Sequence, residues 1–390
     1  MSRAWLLPEH IADVLPSEAR HVEAFRRQLL DMAQQRGFEL VIPPMLEHVE
    51  SLLSGTGQAL DLMTFKLVDQ LSGRLLGLRA DTTPQVARID AHLLNREGVT
   101  RLCYCGPVLH ARPAGLQSSR EPLQFGAEIY GYQGLEADLE VQELAIDALT
   151  EMGADGLTVD LSDARVVRGL FAGLPLDAQG VTDLVQALSV KDASALKTLS
   201  KNLPADVRDG LLALLKLFGG EEVLDEARKL LPDRAAIVRA LDELRWLATH
   251  LKKAFPDLEV GFDLGETGGY AYYSGPRFSI YAPSSRDALA RGGRYDEVGA
   301  VFGRNRPAVG FSLDVKVLTD HLNPTTAAPG IQVRWQEGKL GSGMRAAIRH
   351  LRRAGEQVVV IFPDESTAQC HPACDRELIE VDGQWVVRAL

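Results

Sequence analysis

Residues 163–255 repeat leucine, alanine and charged side chains at 3.6-residue spacing, broken by Pro175, Pro204 and Pro232, with almost no alternating stretch. They read as a helical insertion, because strand-type runs lie on both sides: 38–42, 65–68, 75–79, 101–110 and 123–130 before it, and 260–264, 270–273 and 277–281 after it. Such an interruption implies one sheet whose two halves are separated in sequence. The remaining order is one of hairpins and helices, which favours an antiparallel sheet in an α+β fold over a doubly wound one.

Local signals fill in the elements. Ser17 reads as the N-cap of a first helix, with Val22, Phe25, Leu29 and Met32 at helical spacing and Gly37 as its stop. Pro43 and Pro44 end the run at 38–42, so that strand leaves an edge or turns sharply. Ser72-Gly73 marks a hairpin. Thr83 is predicted to cap a helix with Pro84 at its first position, Val86, Ile89 and Leu93 on one face and Gly98 at its exit. A helix over 138–152 ends at Gly153, and the glycine-rich stretch 291–310 leads into a final helix over 311–321. After a linker at 323–325, a strand at 331–335, a helix at 342–354, a strand at 357–362 and a hairpin turning at Asp382-Gly383 make a small C-terminal α/β unit. The predicted division is a split core at 1–162 and 257–322, the helical insertion at 163–256 and the C-terminal unit at 327–390.

Acidic residues number 53 against 42 Lys and Arg, a net charge of -11, so the field of the whole molecule repels nucleic acid and acidic membranes. Neither is an expected partner. Residues 1–10 hold no apolar core of signal-peptide length and no run of about 18 apolar residues lacks a charge, so a cytoplasmic protein is expected. Four cysteines are too few for a disulfide framework. Cys103 and Cys105 are predicted to share a strand face; Cys370 and Cys374 bracket His371 at a spacing poor for a metal, and no metal site is predicted.

Asp81-Thr82-Thr83-Pro84 places a carboxylate and two hydroxyls at a helix start, which reads as a cap and, set against Gln124 and Glu128, also as a grip for an ammonium group. Gln124 and Glu128 are four apart on a strand-type run, so both face one side of the sheet. Tyr270, Tyr272, Tyr273 and Tyr281 are half of the eight tyrosines; they suit a core, or a pocket floor whose phenols hydrogen-bond an imidazole. Arg291-Gly292-Gly293-Arg294-Tyr295-Asp296 is a glycine turn between basic residues, a weak phosphate signal. Arg345, Arg349, Arg352 and Arg353 form a basic stripe that reads as a solvated helix face.

Taken in order, Gly37-Phe38-Glu39-Leu40-Val41-Ile42-Pro43-Pro44, Leu78-Arg79-Ala80-Asp81-Thr82-Thr83, Tyr104-Cys105-Gly106-Pro107 and Arg120 with Leu123-Gln124-Phe125-Gly126-Ala127-Glu128 closely resemble the catalytic core of the histidyl-tRNA synthetase family. Gly292-Gly293-Arg294-Tyr295-Asp296 and Ala308-Val309-Gly310-Phe311 continue the match, which covers about residues 5–320. The resemblance implies a class II aminoacyl-tRNA synthetase-like antiparallel sheet flanked by helices, an insertion where that family also has one, and dimerisation through the helix and strand around 37–44. It also implies histidine contacts: Asp81 and Thr83 at the ammonium end, Gln124 and Glu128 as a second pair, Tyr273 and Tyr295 around the imidazole.

Three departures bear on function. His110 stands where the synthetases have the motif-2 arginine, Val317 where they have the motif-3 arginine, and Gly268 where an arginine precedes the paired tyrosines. One such electrostatic stabiliser is worth about 10² to 10³ in rate, so no catalytic residue is assigned. Arg112 and Arg120 are the candidates for meeting the ligand carboxylate. The C-terminal unit is short for a complete anticodon-binding domain. In these respects the chain resembles the regulatory-subunit family of ATP phosphoribosyltransferase. That resemblance implies a non-catalytic partner of the short-form catalytic subunit, a glycosyltransferase that performs the first step of histidine biosynthesis. It further implies a homodimer within a hetero-octamer, L-histidine as feedback effector, and no cofactor. An active synthetase and a histidine-binding scaffold for another enzyme are the other two readings.

Overall fold

The computed structural model describes residues 6–53, 58–113, 115, 118–321, 329–336, 343–363, 365 and 373–390. The chain divides into two compact units, Met1–Asn323 and Pro324–Leu390. In the first, α1 (Pro16–Gln35) buries Phe25, Leu29 and Met32 and leads to the two-residue strand β1 (Glu39–Leu40). Its N-cap is Leu15 rather than the expected Ser17, because Pro16, lacking an N–H, takes the first helical position. β2 (Leu46–His48), α2 (Val49–Leu52), α3 (Gln58–Met63), β3 (Phe65–Val68) and β4 (Leu75–Leu78) follow, the strands pairing antiparallel in the order β2-β4-β3.

α4 (Thr83–Arg88) is capped at Thr82, one residue before the expected position, and runs into a π-helical turn over Ile89–Leu94 that ends at left-handed Asn95. That turn corrects two expectations. The extra residue per turn breaks the 3.6-residue register, so Leu93 is 69% exposed instead of sharing the buried face of Val86; the exit is Asn95, not Gly98. β5 (Thr100–Pro107) pairs antiparallel with β6 (Leu123–Tyr130), and α5 (Leu135–Glu151) starts before the expected Asp138 because Gly134 supplies its extended N-cap.

β7 (Thr158–Asp163) precedes the helices α6 (Ala164–Phe171), α7 (Ala178–Ser189), α8 (Ala193–Leu199), α9 (Ala205–Leu214), α10 (Glu222–Leu230) and α11 (Ala235–Ala254). Asp163, Asp177 and Asp192 cap α6, α7 and α8 with side-chain oxygens. One short strand interrupts the helices, β8 (Phe218–Gly219), paired with β9 (Glu259–Asp263). Then come β10 (Pro276–Tyr281), β11 (Ala290–Arg294), β12 (Ala308–Asp314) and α12 (Val315–His321). Residues 270–273 form turns rather than the expected strand, Tyr270 donating to Thr267 and Tyr272 to Gly269. The expected helix over 311–321 begins only at Val315, since Phe311 to Asp314 are taken by ladders to β6 and β11.

The large sheet runs β1-β5-β6-β12-β11-β10-β7-β9-β8, antiparallel except at β1·β5 and β7·β9. β7, before the insertion, pairs with β9 and β10 after it, which joins the two halves. Side chains alternate between two faces. Cys103, Cys105, Phe125, Ala127 and Ile129 meet α1, α5 and α11 in the main core, whereas Leu102, Tyr104 and Tyr130 join Val86, Tyr295 and Phe302 on the opposite face.

In the second unit β13 (Gly330–Arg334), α13 (Met344–Arg353), β14 (Val358–Ile361), β15 (Cys374–Val381) and β16 (Gln384–Ala389) form a sheet ordered β14-β13-β15-β16. Asp382 and Gly383, both at positive φ, make the hairpin turn. Arg345, Arg349, Arg352 and Arg353 are exposed on α13, while Met344 and Ile348 pack on Ile331 and Val333. The expected linker at 323–325, Ser342, Cys370 and His371 lie outside the described residues. Among the described residues no helix is long and apolar enough to cross a membrane, and no three His, Cys, Asp or Glu side chains gather around a metal-sized space.

Candidate functional site

β6 carries Gln124 and Glu128 on the face opposite the main core, and the start of α4 lies over them. Gln124 Nε2 donates to Asp81 Oδ1 at 2.8 Å, and its Oε1 accepts from the Thr82 backbone N–H at 2.9 Å. A side chain from the sheet thus satisfies an orphan N–H at the helix start, where Thr82 itself makes no side-chain cap. Glu128 is 1% exposed; its Oε1 accepts from Thr83 Oγ1 at 3.0 Å and from Tyr104 OH at 3.2 Å. Its Oε2 is buried without a partner, as are the hydroxyls of Tyr272 and Tyr295.

These three residues line a cavity of ≈ 60 Å³ together with Asp81, Thr83, Tyr273, Arg291 and the β12 residues around Gly310. That is about fourfold the ~15 Å³ that admits one water. Gly310 keeps it open: a Cβ there would collide with Glu128 Oε2 and lie 2.6 Å from Tyr295 OH. Tyr272 stacks on Tyr295 with centroids 5.0 Å apart and meets Tyr273 edge-on at 5.3 Å. Burial, reinforced by the charge of Asp81, holds the Glu128 carboxyl well above the usual carboxylate range against the hydrogen bonds from Thr83 and Tyr104. Burial likewise raises the phenols of Tyr104, Tyr272 and Tyr273, which remain neutral donors. A carboxyl oxygen of Glu128 without a partner, beside two phenols whose oxygens can also accept, suits a small ligand that brings N–H donors.

Asp81, Thr83, Glu128, Tyr273 and Tyr295 all line this cavity, and Gln124 holds Asp81 from behind. Arg112 and Arg120 do not line it: Arg120 donates to the His110 carbonyl at 2.9 Å and lies over the Phe65 ring, and Arg112 is exposed elsewhere. Of the tyrosine cluster, Tyr270 turns to the main core and meets Phe171 edge-on. The stretch expected as a glycine turn is strand through Arg294, because Gly292 and Gly293 let β11 pair closely with β10 and β12; Arg294 at its end is buried and bridges Asp138, so it is engaged within the protein. Tyr104 was not singled out by sequence; Tyr272 was named only within the tyrosine cluster and Arg291 only as part of a weak phosphate signal, neither as a histidine contact. The alternation that put Gln124 and Glu128 on one face gives Tyr104 no distinguishing mark, and only the turn at 267–273 brings Tyr272 inward.

The three departures from the synthetase pattern occupy defined places. His110 Nε2 lies 3.0 Å from the Ala80 carbonyl, and burial pushes its imidazole pKa down, so it is neutral at physiological pH. Val317 packs against the main core, and Gly268 turns its N–H to Glu266. None supplies a positive charge.

The histidyl-tRNA synthetase family matches residues 10–318, and the ATP phosphoribosyltransferase subunit HisZ C-terminal domain matches residues 328–388. A Variovorax paradoxus protein named ATP phosphoribosyltransferase regulatory subunit is 61% identical over 388 residues, 99% of this chain and 100% of that one. The chain belongs to the ATP phosphoribosyltransferase regulatory subunit family. Among solved structures, a Bacillus halodurans protein described as an ATP phosphoribosyltransferase regulatory subunit/histidyl-tRNA synthetase superposes with TM-score 0.82 at 28% identity, covering 95% of each chain. A histidyl-tRNA synthetase from Nostoc sp. PCC 7120 shares the fold at TM-score 0.79 and 19% identity, covering 99% of this chain and 97% of that one. Regulatory subunits of this family are thus built on the class II synthetase fold, and the cavity lies within the synthetase-like unit.

Proposed function

We propose that this regulatory subunit binds L-histidine in the cavity and transmits its occupancy to a short-form catalytic ATP phosphoribosyltransferase subunit, a glycosyltransferase, as feedback inhibition in the cytoplasm. The observation that carries the reading is Glu128 Oε2, buried without a partner beside the free hydroxyls of Tyr272 and Tyr295. In this reading Asp81, Thr83 and Glu128 hold the ammonium group, Gln124 fixes Asp81, and Tyr273 and Tyr295 flank the imidazole. Charge-assisted hydrogen bonds to the ammonium are the strongest of these contacts. The chain contributes no catalytic residue and no cofactor, in keeping with a neutral His110 and with Gly268 and Val317 at positions that need cations.

The assembly is a homodimer within a hetero-octamer, built on the split core at 1–162 and 257–322, with 163–256 inserted and 327–390 appended. Feedback requires that histidine bind one state of that assembly better than another, a coupling of about 1 to 3 kcal/mol in typical systems. Titration of the purified chain with L-histidine, alongside phosphoribosyl-ATP formation by the reconstituted complex, tests this directly. Saturable binding with matching inhibition supports it; a folded chain that binds no histidine alone or in the complex refutes it.

A further inference from the structure

We infer that Arg291 receives the carboxylate of the amino acid held in the cavity, which makes the site selective for a zwitterion over the corresponding amine. The inference rests on the reading of the cavity as an amino-acid site and adds the contact that Arg112 and Arg120 do not make.

The strand register places the groups. Glu128, Gly310, Gly293 and Arg277 stand in one row across β6, β12, β11 and β10; in the next row on the same face stand Gly126, Ser312, Arg291 and Ser279. Arg291 and Tyr295 are four apart on β11 and its continuation, so they project from the same side of the sheet, and both line the cavity. With about 4.8 Å between strands and about 6.8 Å between successive same-face residues, the Cα atoms of Glu128 and Arg291 are about 12 Å apart. Between them Gly310 and Gly293 bring no side chain of their own, and Ser312 contributes only a short hydroxyl. That span, with both side chains lining one cavity, accommodates the short backbone of one amino acid, ammonium toward Glu128 and carboxylate toward Arg291.

Among the described residues, the neighbouring cations are committed elsewhere. Arg277 is 7% exposed, pairs with Glu266 at 3.0 Å and lies over the Tyr273 ring. Arg294 bridges Asp138. Arg120 is held by the His110 carbonyl and Phe65. Arg291 is the one cation among the residues lining the cavity, and its nearest acidic partner, Asp287, is 3.9 Å away, beyond hydrogen-bonding distance. Its side chain is 51% exposed, at the mouth rather than the floor. The cavity therefore has two carboxylates on one side and a guanidinium on the other, the charge pattern of a bound zwitterion reversed. The planar fork of arginine suits a carboxylate in a way that a point charge does not.

The test uses the full chain, alone and assembled with the catalytic subunit, titrated with L-histidine, L-histidinol and histamine, which share the imidazole and amine and differ at the carboxylate. Wild type is expected to bind L-histidine at least about tenfold more tightly than histamine. Arg291→Gln is expected to weaken L-histidine about tenfold, the weaker end of a hydrogen bond to a charged group because the side chain is half exposed, while histamine stays within about twofold. Arg291→Lys recovers part of the loss. Equal weakening of all three ligands, or unchanged L-histidine affinity in Arg291→Gln, overturns the assignment while leaving the cavity as the histidine site. Absence of L-histidine binding to the wild-type protein in either form overturns both.

Discussion

Glu128→Gln separates the electrostatics of the cavity from its shape. The amide preserves the volume, and its oxygen can still accept from Thr83 Oγ1 and Tyr104 OH at the positions that now lie 3.0 and 3.2 Å away. What changes is the second oxygen, which is buried without a partner and is replaced by an NH₂ donor aimed at the ligand ammonium. A hydrogen bond to a charged group contributes about 1.5 to 3 kcal/mol, so histidine affinity should fall roughly tenfold to a hundredfold. Protons report the same contact. Burial raises the Glu128 pKa, so the empty site favours the protonated acid, whereas a bound ammonium favours the carboxylate. Wild-type affinity should therefore rise with pH toward the raised pKa, and calorimetry in buffers of different ionisation enthalpy should detect proton release. The variant should show neither. Stability runs the opposite way: a carboxyl whose folded pKa exceeds its unfolded value stabilises fully below about pH 4.3, and that contribution is lost as pH rises through the folded pKa. Without ligand, the melting temperature of Glu128→Gln should gain on wild type as pH increases across that window. A folded variant that binds histidine within about threefold of wild type and releases the same protons would show that the ammonium does not meet Glu128.

The purified chain should give no histidine-dependent ATP-pyrophosphate exchange above background; clear exchange would mean that cations from elsewhere replace the missing arginines. Mixing with the cognate catalytic subunit at micromolar concentration should produce a larger symmetric species by light scattering, since a dimer presents every partner surface twice; unchanged mass would remove the support for a hetero-octamer. Asp138→Ala should destabilise the fold by about 3 kcal/mol in chemical denaturation, because it removes the buried carboxylate facing Arg294 and leaves that guanidinium only Asp296, at 3.3 Å, as a charged partner; a loss under about 1 kcal/mol would contradict the assignment of Arg294 to the fold.

Strand pairing was readable where period-2 alternation is strong: β6 coincides with the expected 123–130, and the hairpin at Ser72-Gly73 closes as expected. Failures fall where tertiary contacts override local pattern. Phe311 to Asp314 read as helix because a helix follows them, yet they fill the sheet position between β6 and β11. Tyr270 to Tyr273 read as strand from their aromatic content, but Gly269 at φ 71° turns the chain and carries Tyr272 and Tyr273 to the cavity. The π-helical turn after α4 has no propensity signature and shows only in the exposure of Leu93. For the candidate site, residue types and strand parity offered Asp81, Gln124 and Glu128 as one reading, and the family resemblance supplied Thr83, Tyr273 and Tyr295 beside them. Arg291 could not be chosen over Arg112 or Arg120, because which arginine lines the cavity depends on strand register and on the carbonyl and ring that hold Arg120 elsewhere.

Amine recognition and adenylate chemistry place opposite demands on charge, and the charges of the proposed histidine site suit only the first. Activation of an amino acid brings a triphosphate beside the carboxylate, and the synthetase pattern answers with arginines at the positions held here by His110, Gly268 and Val317. Burial keeps His110 neutral, glycine brings no side chain and Val317 belongs to the main core. With Asp81 and Glu128 at the floor and Arg291 alone at the mouth, a polyphosphate meets carboxylates without matching cations, whereas an ammonium meets the same carboxylates as partners. Each missing stabiliser is worth about 10² to 10³ in rate, and even without full additivity three together leave no useful activation. Losing these arginines need not disturb the ammonium grip: Gln124, Thr83 and Tyr104 position Asp81 and Glu128 through hydrogen bonds in which none of the three positions takes part. On the proposed reading the fold loses the reaction and keeps the ligand, because the groups serving the two are held by separate networks.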